Sequence, residues 1–127
     1  MIINDPVIVK NLNKELERLE NFGEIIGSAI VNRNGLLISS RLPREIDGRK
    51  LASMAAIMYA GIETATSSFK ANELRNLTVD YQDYKLTVIT VNDDIILVSL
   101  FDIDANLGLI FIEIEECIKN VKEIIKM

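Results

Sequence analysis

The stretch LASMAAIMYAGIETATSSF, from Leu51 to Phe69, carries one formal charge, Glu63, in nineteen residues. Nothing else in the chain is so sparing: charged residues make up 26% of its 127 residues. The absence of proline and the alanines and methionines predict a helix. A helix with water on one side shows charged residues there, so one without them is expected to be covered on more than one side. Nineteen residues of helix would span about 28 Å, close to a bilayer core. Ser53, Glu63, Thr64, Thr66, Ser67 and Ser68 argue against that use, since an acidic side chain at depth is costly and alanine offsets little of it. The helix is therefore read as buried in protein.

Its two sides differ. Leu51, Met54, Met58, Ile62, Ala65 and Phe69 form a bulky stripe, expected to lie on the protein's own sheet. Ala52, Ala56, Tyr59, Ala60 and Glu63 lie opposite. A bare alanine-rich surface would explain the alanines but not the missing charges or Tyr59. Charge depletion with an aromatic residue is the composition of an interface core, and a symmetric homodimer is the commonest way to fill it. Small residues four apart would also let two helix backbones come close.

The remaining pattern supplies the frame. Asp5-Pro6 starts a helix whose stripe is Val9, Leu12, Leu16 and Leu19, ended by Gly23. Ile26–Asn32 and Leu36–Ser40 flank an Asn34-Gly35 hairpin turn. Asp47 caps the uncharged helix. Leu74–Tyr81, Tyr84–Val91 and Ile95–Phe101 follow, parted by short polar breaks that favour antiparallel pairing. The third of these runs is apolar throughout and is expected at the sheet centre. Leu74–Tyr81 is the least apolar and is expected at an edge, where a second copy could pair with it. Asn106 caps a last helix, to Met127, with the stripe Leu107, Ile110, Ile114, Cys117, Val121 and Ile124. The expected fold is α+β in the order α-β-β-α-β-β-β-α, with an antiparallel five-stranded sheet between helices, as one domain over 1–127. The expected dimer contact is Ala52, Ala56, Tyr59, Ala60 and Glu63, with Leu77 and Val79 from the edge strand.

Several functions are disfavoured. The net charge of −5 opposes nucleic acid and anionic membrane surfaces. With no histidine, imidazole bases and histidine metal sites are absent. There is no Walker-type phosphate loop. Cys117 reads as a buried structural thiol, and with a single cysteine no internal disulfide can form. Asp93-Asp94 and Asp102/Asp104 read as turn aspartates, with a weak calcium or magnesium site as the alternative. Arg41 and Arg44, flanking Pro43, read as a solvated loop or a partner contact. No catalytic residue, cofactor or metal is expected, and the start lacks a signal-peptide pattern, which leaves a cytoplasmic protein as the default.

The stretches IIGSAIVNRNGLLISS, LASMAAIMYAGIETA and DANLGLIFIEIEECIKNV, with the strands between them, resemble the roadblock family, named for dynein light chains of that type. Asn32 stands where many relatives carry aspartate. The resemblance implies roadblock/longin-like, profilin-like layers, and dimerisation through the central helix and the third strand. It also implies a non-catalytic scaffold for signalling: a homodimeric platform that binds or regulates a small Ras-like GTPase, binds such a GTPase's regulator, or attaches cargo to motor complexes. The GTPase partner comes from the resemblance alone. A small-molecule-binding sensor domain of similar layers is the alternative, and an enzyme is the least supported reading.

Overall fold

A computed structural model describes residues 5–70 and 73–126. The elements are α1 (Pro6–Asn21), β1 (Ile25–Asn32), β2 (Leu37–Arg41), α2 (Gly48–Ala65), β3 (Asn76–Asp80), β4 (Tyr84–Thr90), β5 (Ile95–Asp102) and α3 (Leu107–Ile125). This is the α-β-β-α-β-β-β-α order read from the sequence. The strands form one antiparallel sheet in the order β2-β1-β5-β4-β3. The apolar β5 is central and β3 is an edge, as their compositions require.

Local chemistry sets the helix starts. Asp5, Asp47 and Asn106 each cap a helix by accepting a backbone N–H, from Val7, from Arg49 and Lys50, and from Leu109 respectively. The β1–β2 turn is tightened by the Asn32 side chain, which accepts from the Asn34 amide at 2.8 Å, and by Gly35 at φ +93°. Only glycine adopts that φ without strain. Asn34 keeps an ordinary φ, so this is not the two-residue turn that an Asn-Gly pair suggests.

Alternation along the strands builds two cores. On one face, α1 and α3 cover Ile30, Ile95, Leu97 and Phe101, using Leu12, Leu16, Leu19, Ile110, Ile114, Cys117 and Val121. On the other, α2 packs on Ala29, Val31, Leu86, Val88, Ile96 and Val98. The loop after β2 folds tightly over β1 at Gly27, where an added Cβ would lie 3.0 Å from both the Arg41 carbonyl and Pro43 Cδ. Both neighbours are backbone or ring atoms. Gly27→Ala is therefore expected to cost about 1–3 kcal/mol by overpacking, read as a lower urea midpoint.

Several boundaries differ from expectation; β3, for one, spans Asn76–Asp80 where Leu74–Tyr81 is expected. The last helix was expected to reach Met127, which lies outside the described residues. The central helix was expected to run past Phe69 but ends at Ala65. There the Thr66 and Ser67 hydroxyls donate back to the carbonyls of Ile62 and Thr64, each at 2.9 Å. Side chains that bond the preceding turn in this way compete with helix propagation.

Candidate functional site

The face of α2 that lies on the sheet is the small one. Ala52, Ala55, Ala56 and Tyr59 are buried within the chain itself. This corrects the expected placement of Ala52, Ala56 and Tyr59 against a second chain, and that of the bulky stripe against the sheet, of which half-buried Leu51 does pack into that core. The reason is space. The strands already fill the interior with Val31, Val88, Ile96 and Val98, so only alanines let the helix settle close, and Tyr59 reaches down between them.

Tyr59 anchors the helix at its far end. Its hydroxyl donates to the Leu74 carbonyl at 2.6 Å and also meets the Thr90 hydroxyl. Arg33, from the β1–β2 turn, lies over the ring with its guanidinium carbon 4.9 Å from the centroid. The same guanidinium donates from Nη1 to both Glu63 carboxylate oxygens, at 3.0 and 2.9 Å. Glu63, the one charge in the stretch, is thus committed to its own chain. Ala60 is exposed beside the β1–β2 turn, in a crevice lined by Arg33, Asn34, Ser53 and Ile57.

What α2 offers outward is apolar and almost uncharged. Met54 is 47% exposed, Ile57 62% and Ile62 37%. Met58 is half-buried, and Gly61 and Ala65 are exposed between them. On this side of the sheet the row continues through Leu77 and Val79 of β3, both half-buried, to the exposed Tyr84 of β4. Leu77 packs into the α2 core, and Val79 shares its face by alternation. β3 pairs on one side with β4 and, among the described residues, with no strand on the other, so its outer backbone groups form an open edge. Its charge protection is modest: Asp80 pairs across the hairpin with Lys85 at 3.5 Å. The uncharged helix stripe and the sheet edge thus share one side of the sheet, with Leu77 packed into the core beneath α2. Surfaces of this kind mark protein contacts. Charge depletion signals this face in the sequence, whereas side-chain size does not: the bulky Met54, Ile57 and Ile62 of α2 face outward because the sheet leaves room for alanine.

The other face carries a polar seam between α1 and α3. Glu15, 8% exposed, accepts from Arg18 Nε at 3.0 Å and Nη2 at 2.8 Å, and from Asn120 Nδ2 at 3.0 Å. Arg18 Nη1 reaches Glu113 at 3.2 Å. The hydrogen bond to Glu15, with Glu113 adding to it, raises the Arg18 guanidinium above its already high range. Cys117 lies beside this seam. Burial, reinforced by the Glu15 charge, pushes its thiol from 9.0 up to about 12. The native thiol is therefore expected to resist iodoacetamide at pH 8 and to react at once in denaturant. Because the folded state holds the proton more tightly, the stability this contributes is whole below pH 9 and fades as pH climbs toward about 12.

Other features offer less. Two recesses, of about 770 and 610 Å³, are surface grooves with mixed linings. Among the described residues no group of three or more acidic or cysteine side chains could hold a metal ion, and no helix is long and apolar enough to cross a membrane. Arg41 pairs with Glu20 at 2.9 Å, while Arg44 is exposed.

Comparison with known proteins bears on the family and the fold. The profile of the Roadblock/LC7 domain matches residues 12–101. An uncharacterized protein of Methanocaldococcus jannaschii is 27% identical over 87% of this chain and 93% of its own. Among solved structures, MglB of Myxococcus xanthus superposes with a TM-score of 0.90 at 24% identity, over 99% of this chain and 95% of that one. A Roadblock/LC7 domain from Streptomyces avermitilis gives 0.83 at 17% identity, over 91% and 98%.

Proposed function

The chain belongs to the Roadblock/LC7 domain family, and we propose that it acts as a non-catalytic homodimeric platform that binds or regulates a small Ras-like GTPase inside the cell. One observation carries the dimer: the uncharged outward face of α2 lies on the same side of the sheet as Leu77 and Val79 at the open edge of β3. A two-fold axis at that edge joins two sheets into one and sets the two α2 stripes side by side, so a single operation covers both exposed features. The interface then consists of Met54, Met58 and Ile62 with Leu77 and Val79. Ala52, Ala56 and Tyr59 support it from beneath, and Glu63 is held aside by Arg33. Ala60, on the flank beside the β1–β2 turn, lies outside this contact.

The platform role rests on the family. A protein that regulates a GTPase must bind its two nucleotide states unequally, because a ligand shifts an equilibrium only by its differential affinity. A Ras-like GTPase from the same source, loaded with GDP or with a non-hydrolysable GTP analogue, is the direct probe. Titration calorimetry is expected to show saturable binding with unequal affinities for the two states. The absence of binding in both states would remove the GTPase from the account while leaving the dimer to its own tests.

A further inference from the structure

The opposite edge of the sheet, β2, is left open by any dimer built on β3. Among the described residues, no backbone hydrogen bond from Leu37–Arg41 runs to any element other than β1. Beside this edge, between β2 and the start of α2, is the groove of about 610 Å³. Leu37, Leu42 and Ile46 line its floor, Arg41, Arg44 and Arg49 its rim, and two carboxylates share the lining, Glu20 paired with Arg41 and Asp47 capping α2. Its walls are fixed in advance. Gly27 lets the 42–43 loop press onto β1, and a Cβ at Gly48 would come within 3.2 Å of Leu37 and 3.3 Å of Leu42. A preformed site loses little ordering entropy when occupied.

Charge singles this corner out. Residues 41–50 hold four cations against two carboxylates, so this segment is +2 while the rest of a −5 chain carries −7. Two of the three rim arginines, Arg44 and Arg49, make no ion pair among the described residues. The pair between Arg41 and Glu20 leaves both side chains about two-fifths exposed, so it is weak and exchangeable.

We propose that the β2 edge, with Arg41, Arg44 and Arg49 beside it, is a second docking site, which takes an extended acidic segment of a partner protein as an added strand. Main-chain hydrogen bonds to β2 supply the geometry. The apolar floor takes alternate side chains of the segment, and the arginines take its carboxylates. An anionic polymer without a peptide backbone satisfies the rim but not the edge, which favours a polypeptide over nucleic acid.

The site is independent of the dimer contact, and the experiment keeps the two apart. The probe is a capped twelve-residue peptide of alternating glutamate and valine, titrated into 15N-labelled protein. Amide shifts are expected at residues 38–41 and around Arg44 and Arg49. Binding is expected to weaken at least about tenfold in Arg44→Glu/Arg49→Glu, whose sites are exposed and whose fold is checked by the remaining spectrum. It is also expected to disappear when alternate peptide amides are N-methylated, and to persist in Met54→Glu/Ile62→Glu. Shifts at Asn76–Asp80 instead of β2, equal binding by the charge-reversed variant, or equal shifts from a twelve-nucleotide single-stranded DNA would each overturn the proposal.

Discussion

Tyr59→Ala is expected to destabilise each protomer by about 3–5 kcal/mol, the range for removing a large aromatic side chain from a packed core. Tyr59 is 2% exposed in the lone chain. Its removal empties the space between α2 and the sheet, takes a donor from the Leu74 carbonyl and leaves Arg33 without the ring beneath it. The loss is expected in urea unfolding at every protein concentration, because it acts within one chain. Tyr59→Phe keeps the ring and gives up the hydroxyl, for about 1–2 kcal/mol. Had Tyr59 faced a second chain, its truncation would weaken association and leave the protomer's unfolding midpoint in place. That result would reinstate the orientation suggested by the sequence and contradict the one observed.

The second large effect belongs to the outward face. Met54→Glu/Ile62→Glu puts two carboxylates on each α2 stripe, and a two-fold axis brings four together. Like charges facing each other in a buried contact cost several kcal/mol, so the dimer dissociation constant is expected to rise more than about a hundredfold. Both side chains are partly exposed in the protomer, so its own stability is expected to move by only about 0.5–1 kcal/mol. Circular dichroism would show the helices retained. Ala56→Glu, the natural choice from sequence, fails as a test of association: at 7% exposure it would force a carboxylate onto the sheet and unfold the chain. A double variant that remained dimeric with unchanged affinity would move the contact away from α2.

The contrast between these two substitutions shows what sequence conveyed and what it did not. Element order, the caps at Asp5, Asp47 and Asn106, the central place of β5 and the edge position of β3 were all legible. Each depends on local chemistry or on strand composition, which act within a few residues. The rotation of α2 about its axis was not legible. A helix with one polar side announces which way it faces, whereas Leu51–Ala65 has none, and burial then depends on how much room the sheet leaves. Val31, Ile96 and Val98 leave room for alanine, and no periodicity within α2 encodes that. The Arg33–Glu63 pair was equally hidden, since it joins residues thirty apart through the fold. The depletion of charge was the durable signal. It marked a helix with two apolar sides, and the structure assigns one of them to the chain's own sheet and leaves the other open.

The measurement that bears most directly on that open side is the mass of the protein in solution. Sedimentation equilibrium from low micromolar to millimolar concentration is expected to give twice the 14.3 kDa chain mass, falling to the single-chain value in Met54→Glu/Ile62→Glu. A wild-type chain sedimenting at 14.3 kDa throughout that range would mean that water, and not a second copy, covers the outer face of α2.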